Sequence, residues 1–159
     1  VGCLFGLAPP HRMANPWLYP AKKSGGEQST EEVISNKEEI LNSYSGFWIA
    51  PGSPYKRMEG ALDVIKHCRT NIIPLLGTCG GYQHIIIEYA RNVLLIKEAE
   101  HAEYDPYASK LVVNKLVCSL AGKTLEINID TESKTYQIYN KLRIKEEYYC
   151  NLTLAKTLR

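Results

Sequence analysis

The sequence predicts an α/β fold in which helices cover both faces of a mainly parallel sheet. Up to about residue 106, short apolar runs bounded by turn residues alternate with amphipathic stretches of helical spacing. Strands that are buried and joined by helices are typical of parallel sheets. Beyond Asp105-Pro106 the runs become shorter and tight turns separate them, which predicts an antiparallel extension after about residue 108. A length of 159 residues favours one domain over 1–159, and the chain ends without a capping or tail signature, which predicts that this domain continues beyond Arg159.

The composition is that of an ordinary globular domain. Hydrophobic residues make up 45% of the chain and charged residues 23%. Lys and Arg number 19 and Asp and Glu number 17, and this balance argues against nucleic acid or an anionic membrane as a partner. No apolar stretch approaches the length of a membrane span. The five cysteines form no C-x-x-C pair, which argues against a disulfide framework or a structural zinc site and favours the cytoplasm.

The predicted elements follow from composition and spacing along the chain. Residues 9–31 are rich in proline and glycine, which predicts a loop or a poorly ordered segment. A helix is predicted to begin at Ser29 or Thr30, where a hydroxyl can cap the first turn and two glutamates follow. The apolar run 46–50 predicts a buried strand, and apolar residues recur at helical spacing over 58–70. Further along, the sequence predicts a strand over 72–76, a helix over 82–92, and strands over 110–120, 124–130 and 135–139.

The turn over residues 77–81 carries the chemistry that the sequence predicts. A buried strand runs into a cysteine that is flanked by glycines and opens a helix, which is the layout of a nucleophile elbow. The start of a helix favours a thiolate at Cys79, and the N–H of Gly80 would point at a developing oxyanion. A lone cysteine is more often a small buried side chain, and Cys68 and Cys118, which lack this glycine frame, are predicted to be core residues.

Five stretches of the sequence resemble those of one enzyme family. Residues 77–83 are similar to the G-x-C-x-G-x-Q signature of class I, triad-type, glutamine amidotransferases. Residues 88–94 and 103–106 resemble stretches that are particular to the amidotransferase domain of CTP synthase and its stand-alone relatives. Residues 48–55, followed by 59–61, resemble the oxyanion loop of that domain and the helix after it.

The resemblance implies a flavodoxin-like three-layer sandwich that hydrolyses L-glutamine to glutamate and ammonia without a cofactor. It implies a link to CTP biosynthesis, with L-glutamine as a partner and an ammonia-accepting synthase domain or a homo-oligomer as a further one. The sequence has no G-x-x-x-x-G-K-[ST] phosphate loop, so a synthase half would belong to another chain or be absent. The residue roles that the resemblance implies are Cys79 as the nucleophile, Gly52 or Ser53 together with Gly80 as the oxyanion hole, and Gln83 and Glu103 as substrate contacts.

Two positions depart from the family's pattern. Pro54 follows Ser53 where the family usually has paired glycines, and proline has no N–H to donate. Asn151 stands where the family has an arginine for the glutamine carboxylate. These departures suggest a stand-alone relative with altered or lost glutamine recognition. Without the resemblance, Glu103 would be interpreted as a solvated loop carboxylate and Gln83 as a cap of its own helix.

The sequence lacks the histidine and glutamate that complete the family's triad. The family takes both from a His-Pro-Glu-like motif that lies after the stretch at which this chain ends, and the reaction needs such a base. Of the four histidines, His84 is predicted to point away from Cys79, His67 and His101 to lie on the surface or in loops, and His11 to fall in a segment that matches nothing. Three interpretations remain: the base lies beyond Arg159, the protein is a catalytically silent module that binds glutamine or a partner, or Cys79 serves another thiol hydrolase or isomerase.

Overall fold

The computed structural model of the chain describes residues 3–7 and 27–155. His11 and most of the loop predicted over 9–31 lie outside the described residues. The described chain divides into two compact units. Of the described residues, the first unit comprises 3–7, 27–114 and 154–155, and the second comprises 115–153.

From residue 46 to residue 92 the first unit alternates strands and helices as the sequence predicts, but residues 27–29, within the loop predicted over 9–31, form a strand. Its fold class, mixed α/β with parallel and antiparallel strands, is the predicted one. Its elements are β1 (Cys3–Leu7), β2 (Glu27–Ser29), α1 (Thr30–Ser35), α2 (Lys37–Ser43), β3 (Gly46–Ile49), α3 (Met58–Asn71), β4 (Leu75–Gly77), α4 (Gly80–Asn92), β5 (Ala99–His101) and β6 (Lys110–Lys115), the last residue of which opens the second unit.

Strand direction follows the connections between the strands. The four-stranded sheet has the order β2-β1-β3-β4. β3 and β4 are joined through helix α3 and pair in parallel, with Phe47 opposite Leu75 and Ile49 opposite Gly77. β5 also pairs in parallel with β6. β1, however, runs antiparallel to both of its neighbours, so the parallel order expected of this sheet holds only for β3 and β4.

Helix α1 begins where the sequence predicts, because Ser29 caps it. The Ser29 Oγ accepts a hydrogen bond of 3.1 Å from the N–H of Glu32, and the Glu32 carboxylate accepts one of 2.6 Å from the N–H of Ser29. This reciprocal pair satisfies two backbone donors that the first turn would otherwise leave open. The same hydrogen bonds lower the pKa of Glu32.

The core of the first unit lies between α3 and the sheet. The inward face of α3 presents Val64, Ile65 and Cys68, all at most 2% exposed, to a cluster that includes Phe47 and Ile49 of β3. The prediction that Cys68 is a core residue is therefore confirmed, and burial raises the pKa of its thiol to about 12. Strand β3 is a short apolar run with both faces covered, as the sequence indicates.

A buried ion pair joins helices α3 and α4. The side chain of Glu88 is 1% exposed, and that of Arg69 is 34% exposed. The Arg69 guanidinium donates from Nε and Nη2 to both carboxylate oxygens of Glu88, at distances of 2.8–3.2 Å. Asn92 adds a third donor, from Nδ2 to Glu88 Oε1 at 3.0 Å. Because every acceptor of the buried carboxylate has a partner, the two helices are fixed in register beside the elbow.

The second unit contains an antiparallel pair of strands, which the sequence predicts only in part. β7 (Lys123–Asn128) pairs with β8 (Arg143–Tyr148), from Lys123 opposite Tyr148 to Asn128 opposite Arg143. A last strand, β9 (Leu152–Leu154), leads the chain back to the first unit. The strand predicted over 110–120 ends at Lys115. Cys118 is consequently exposed, and its assignment to the core is wrong.

The strand predicted over 135–139 is instead the helix α5 (Lys134–Tyr139). Alternating apolar residues favour a strand here, but the local turn decides the outcome. Ser133 Oγ donates to the carbonyl of Asp130 at 2.6 Å and accepts from the N–H of Tyr136 at 3.1 Å. A capped first turn of this kind favours a helix over an extended segment.

Across the described ranges, no helix is both long and apolar enough to cross a lipid bilayer.

Candidate active site

Cys79 lies at the junction of strand β4 and helix α4. It is the N-cap of α4 and has φ 50° and ψ −114°, a left-handed backbone conformation that non-glycine residues rarely adopt. Its side chain is exposed. The helix begins at Gly80, two residues before the predicted start, so the dipole at its N-terminus lies directly beside the sulfur. This is the local geometry of a nucleophile elbow.

The two glycines after Cys79 allow the elbow to touch the neighbouring strand and loop. A Cβ atom at Gly81 would lie 2.0 Å from the carbonyl oxygen of Ile49 in β3. A Cβ atom at Gly80 would lie 2.6 Å from Ser53 Oγ and 3.1 Å from the Ser53 nitrogen. Only glycine permits these approaches without displacing backbone. The structure thus brings together Gly80 and Ser53, two of the residues predicted to form an oxyanion hole.

The loop that contains Gly52 and Ser53 is held by hydrogen bonds at both ends. Gly52 has φ 120°, in the region that favours glycine, and the Ser53–Pro54 peptide bond is cis. Tyr55, which follows, is 3% exposed, and its hydroxyl donates to the carbonyl of Ala50 at 2.6 Å. The backbone N–H of Tyr55 donates to the hydroxyl oxygen of Tyr104 at 2.7 Å. These two bonds close the loop on itself and connect it to the segment after β5.

Beneath the elbow, a buried histidine joins α4 to the same tyrosine. His84 is 0% exposed, and its Nδ1 lies 2.7 Å from the carbonyl oxygen of Gly80. Since a carbonyl only accepts, Nδ1 donates, and Nε2 of the neutral ring accepts from the Tyr104 hydroxyl at 2.9 Å. Burial is the main cause that lowers the pKa of His84 to about 4 and raises that of Tyr104 to about 12. Tyr104 therefore connects the oxyanion loop, through Tyr55, to the first turn of α4.

His101 is also buried, so the prediction that it lies on the surface is wrong. It is the last residue of β5, where side chains alternate in burial, and it stacks on His84 with ring centroids 5.4 Å apart. The N–H of Glu103 donates to Nδ1 of His101 at 3.1 Å. Nε2 therefore carries the proton and donates to Oε1 of Gln83 at 2.9 Å. Burial lowers the pKa of this ring to about 4.

Glu103 carries an unusual carboxylate oxygen. Its Oε2 is buried and has no hydrogen-bond partner among the described residues, and it lies 3.8 Å from His101 Nε2. A buried carboxylate oxygen without a donor is costly, so it marks a position where a further donor would bind favourably. The Glu103 side chain as a whole is 27% exposed, and its contact with a substrate stays a prediction. Gln83 is 7% exposed, and its Oε1 accepts a hydrogen bond from His101 Nε2.

The predicted site residues of the first unit lie in one neighbourhood, and the sequence missed the residues that support them. Cys79 and Gly80 lie at the start of α4, and Ser53 packs against Gly80. The Gln83 side chain and the Glu103 backbone both form hydrogen bonds with the His101 ring. Neither composition nor spacing marks a histidine that is buried by tertiary packing. The supporting residues that the structure adds are Tyr55, His84, His101 and Tyr104. Asn151, expected to replace an arginine, lies in the second unit, where its Oδ1 accepts from Ser119 Oγ at 2.6 Å.

Among the described residues, the ring nitrogens of His67, His84 and His101 lie within hydrogen-bonding distance of groups other than the Cys79 thiol. His84 and His101 use both ring nitrogens as described, and Nδ1 of His67 lies 3.3 Å from Asn71 Nδ2 on the exposed side of α3. Within the part of the chain that is described, no three or more His, Cys, Asp or Glu side chains come together in a way that could hold a metal ion. The candidate site contains an exposed thiol, the backbone amides at the start of α4, and the carboxylate of Glu103 with one buried oxygen.

Acidification from about pH 7 to about pH 5 is expected to destabilise the protein, because His84 and His101 are buried as neutral rings. Their pKa in the folded protein is about 4, against an ordinary value of 6.5. As the pH falls below 6.5 the unfolded chain binds protons that the folded chain does not, so stability is lost between these two values and is fully present above them. We expect a loss of up to about 2 kcal/mol for each ring at pH 5, measured by urea unfolding. The variant His101→Asn should lose about half of this pH dependence, and equal stability of the wild-type protein at both pH values would contradict the account.

Comparison with known proteins agrees with this geometry. Residues 25–149 match the sequence model of the glutamine amidotransferase class-I family. The chain belongs to this family. This chain is 33% identical to the CTP synthase of Sulfolobus acidocaldarius over 142 residues, which are 84% of this chain and 26% of that protein. It is 45% identical to the CTP synthase of Nautilia profundicola over 87 residues, 55% of this chain and 15% of that protein.

A solved structure shares the fold of this class-I amidotransferase chain. The glutaminase domain of Trypanosoma brucei CTPS, solved with bound acivicin, superposes with a TM-score of 0.70 at 20% identity, and the match covers 79% of this chain and 52% of that one. The mixed α/β fold expected from the sequence is thereby confirmed. The chain spans about a quarter or less of the length of the curated relatives that it matches.

Proposed function

We propose that this amidotransferase domain hydrolyses L-glutamine to glutamate and ammonia with Cys79 as the nucleophile. The observation that carries the proposal is the backbone of Cys79, which has a positive φ at the point where β4 meets α4. Strained backbone conformations of residues with a side chain cluster at active sites, and here the strain coincides with a strand-to-helix turn that exposes a thiol. Membership of the glutamine amidotransferase class-I family supports the same role.

In the proposed reaction the Cys79 sulfur attacks the carboxamide carbon of glutamine, and the thiol proton passes to a base. The carbonyl oxygen becomes an oxyanion, and the N–H groups of Gly80 and Ser53 stabilise it. The C–N bond then breaks, and the nitrogen takes the proton from the base and leaves as ammonia. Water adds to the resulting γ-glutamyl thioester, the C–S bond breaks, and glutamate leaves while the sulfur regains a proton.

The amino-acid part of glutamine would be held by Glu103 and Gln83. The buried Oε2 of Glu103 is an acceptor without a donor, and the α-ammonium of glutamine would supply that donor. Gln83 is fixed beside it through His101. An acceptor of this kind favours a substrate with a free α-amino group over a peptide-bonded glutamine.

We do not assign the role of proton acceptor for Cys79 to His84 or His101. The ring nitrogens of His84 form hydrogen bonds with the Gly80 carbonyl and the Tyr104 hydroxyl. Those of His101 form hydrogen bonds with the Gln83 side chain and the Glu103 backbone N–H. To serve as the base, either ring would have to give up one of these bonds. The resemblance to triad-type amidotransferases implies a histidine and a glutamate from a later segment.

The ammonia would be passed to a synthase partner. The CTP synthases that this chain resembles over about a quarter of their length support a role in CTP formation. The acceptor would then be a synthase domain, or a homo-oligomer of the full protein would contain it. A catalytically silent module that binds glutamine is the second candidate, favoured by the engagement of both buried histidines in other hydrogen bonds.

The proposed recognition of glutamine can be tested by labelling with 6-diazo-5-oxo-L-norleucine, an electrophilic glutamine analogue. We expect the full-length protein to be labelled at Cys79 and L-glutamine to slow the labelling, whereas L-asparagine should not. Cys118 is an internal control because it is exposed and lies in the second unit. Equal labelling of Cys79 and Cys118, without protection by L-glutamine, would argue against both candidates. Peptide mass spectrometry locates the label.

A further inference from the structure

We propose that His101 is a positioning residue that sets the distance between the two substrate contacts, Gln83 and Glu103. The inference rests on the proposed function, since it assigns those contacts to glutamine. It goes beyond that function because it gives a role to a buried histidine that touches neither Cys79 nor the substrate in the proposed reaction.

The two ring nitrogens of His101 connect different segments of the chain. Nε2 donates to the side-chain oxygen of Gln83 on helix α4. Nδ1 accepts from the backbone N–H of Glu103, two residues after His101 itself. An imidazole ring is rigid, so the positions of its two nitrogens fix the Gln83 amide relative to the start of the Glu103 side chain. The two contacts are therefore held as one unit.

The position of the ring is itself fixed from several sides. Its face stacks on His84, and its edge meets Tyr104, with ring centroids 5.7 Å apart. The backbone of β5 is tied to α4, because Arg91 donates from Nε to the carbonyl of Ala99 at 2.7 Å and from Nη2 to Glu100 at 2.8 Å. Such a supporting shell is what keeps contact residues in a productive geometry.

The two bonds of His101 can be removed one at a time. In His101→Asn, the amide oxygen can replace Nδ1 as the acceptor for Glu103, but the side chain is too short to reach Gln83. In His101→Gln, the amide nitrogen can replace Nε2 as the donor to Gln83, but the Glu103 acceptor is lost. His101→Leu keeps the bulk of the side chain and removes both bonds. A purely structural role would make the three variants differ in stability alone.

The test is the saturation kinetics of Cys79 labelling by 6-diazo-5-oxo-L-norleucine in the full-length protein. We expect His101→Leu to raise the half-saturating concentration about tenfold or more, which corresponds to the loss of well-placed hydrogen bonds. The two amide variants should fall between His101→Leu and the wild-type protein. The maximal labelling rate, and the rate with iodoacetamide, which carries no amino-acid part, should change less than about twofold.

The possible outcomes separate this inference from the proposed function. Saturable, glutamine-protected labelling of the wild-type protein with an unchanged half-saturating concentration in His101→Leu would overturn the role of His101 alone. A fall in the iodoacetamide rate of His101→Leu as large as the rise in its half-saturating concentration would also overturn the role of His101. Such a fall would indicate that the elbow around Cys79 is generally disturbed. Wild-type labelling without saturation or protection would overturn the proposed function and, with it, the role of His101.

Discussion

Replacement of Cys79 with alanine is expected to lower ammonia release from L-glutamine by about 10⁴-fold or more. The physical reason is that no thioester can form without the sulfur, and the amides at the start of α4 can then only polarise the carboxamide for direct attack by water. The measurement is ammonia release by the full-length protein, coupled to reductive amination of 2-oxoglutarate. Because the elbow is a strained N-cap, the folded state of the variant should be verified by its unfolding midpoint.

Cys118→Ala is the matched control for this experiment. It also removes an exposed thiol, but from the second unit, and it should leave the rate within about twofold of the wild-type value. Equal turnover by Cys79→Ala and the wild-type protein would contradict the role of Cys79. Turnover by neither, together with glutamine-protected labelling of Cys79, would favour the silent glutamine-binding module.

Replacement of Arg69 with alanine is expected to lower the free energy of unfolding by about 3 kcal/mol. The variant leaves the carboxylate of Glu88, which is 1% exposed, with Asn92 as its remaining hydrogen-bond donor from the described network. Loss of one partner from a buried pair costs more than the pair itself contributes, since the remaining charge is not solvated. The expected value is at the lower end of the usual range because Arg69 is 34% exposed, which lets water reach the vacated space. Urea unfolding at neutral pH measures the change.

Two comparisons separate the buried charge from ordinary side-chain loss. The double variant Arg69→Met with Glu88→Leu replaces both charges by apolar groups and should lie within about 1 kcal/mol of the wild-type protein. Lys37→Ala removes the exposed partner of Asp63, whose ion pair is 2.8 Å long, and should cost less than about 1 kcal/mol. If the double variant is as unstable as Arg69→Ala, the helix register depends on the polar network itself and the explanation from a stranded charge is wrong.

Local signals in the sequence were sufficient for the elements that local chemistry determines. Ser29 and the glutamates after it predict the start of α1, and the structure has both halves of the capping box. The glycines around Cys79 predict a tight turn between a strand and a helix, and they are required by approaches of 2.0 Å and 2.6 Å that any Cβ would make. In both places the cause lies within a few residues, so a single sequence contains it.

The sequence was insufficient where tertiary packing or a competing turn determines the structure. Residues 135–139 have the alternation of a strand, but the cap at Ser133 produces a helix. Cys118 belongs to an apolar run of the sequence, but strand β6 ends at Lys115, before Cys118, and the cysteine is exposed. His84 and His101 give no periodic signal, and only the packing of β5 against α4 buries them together. The candidate nucleophile was therefore predictable from its glycines, whereas the buried residues that support it were not.

The central claim is that Cys79 forms a covalent intermediate with glutamine, and the most direct measurement is to trap that intermediate. The full-length protein would be mixed with isotopically labelled L-glutamine, quenched with acid within the first turnover, and digested for mass spectrometry. We expect a γ-glutamyl group on the peptide that contains Cys79, and none in Cys79→Ala. Ammonia release without an acyl group at Cys79, or an acyl group on a different cysteine, would contradict the account.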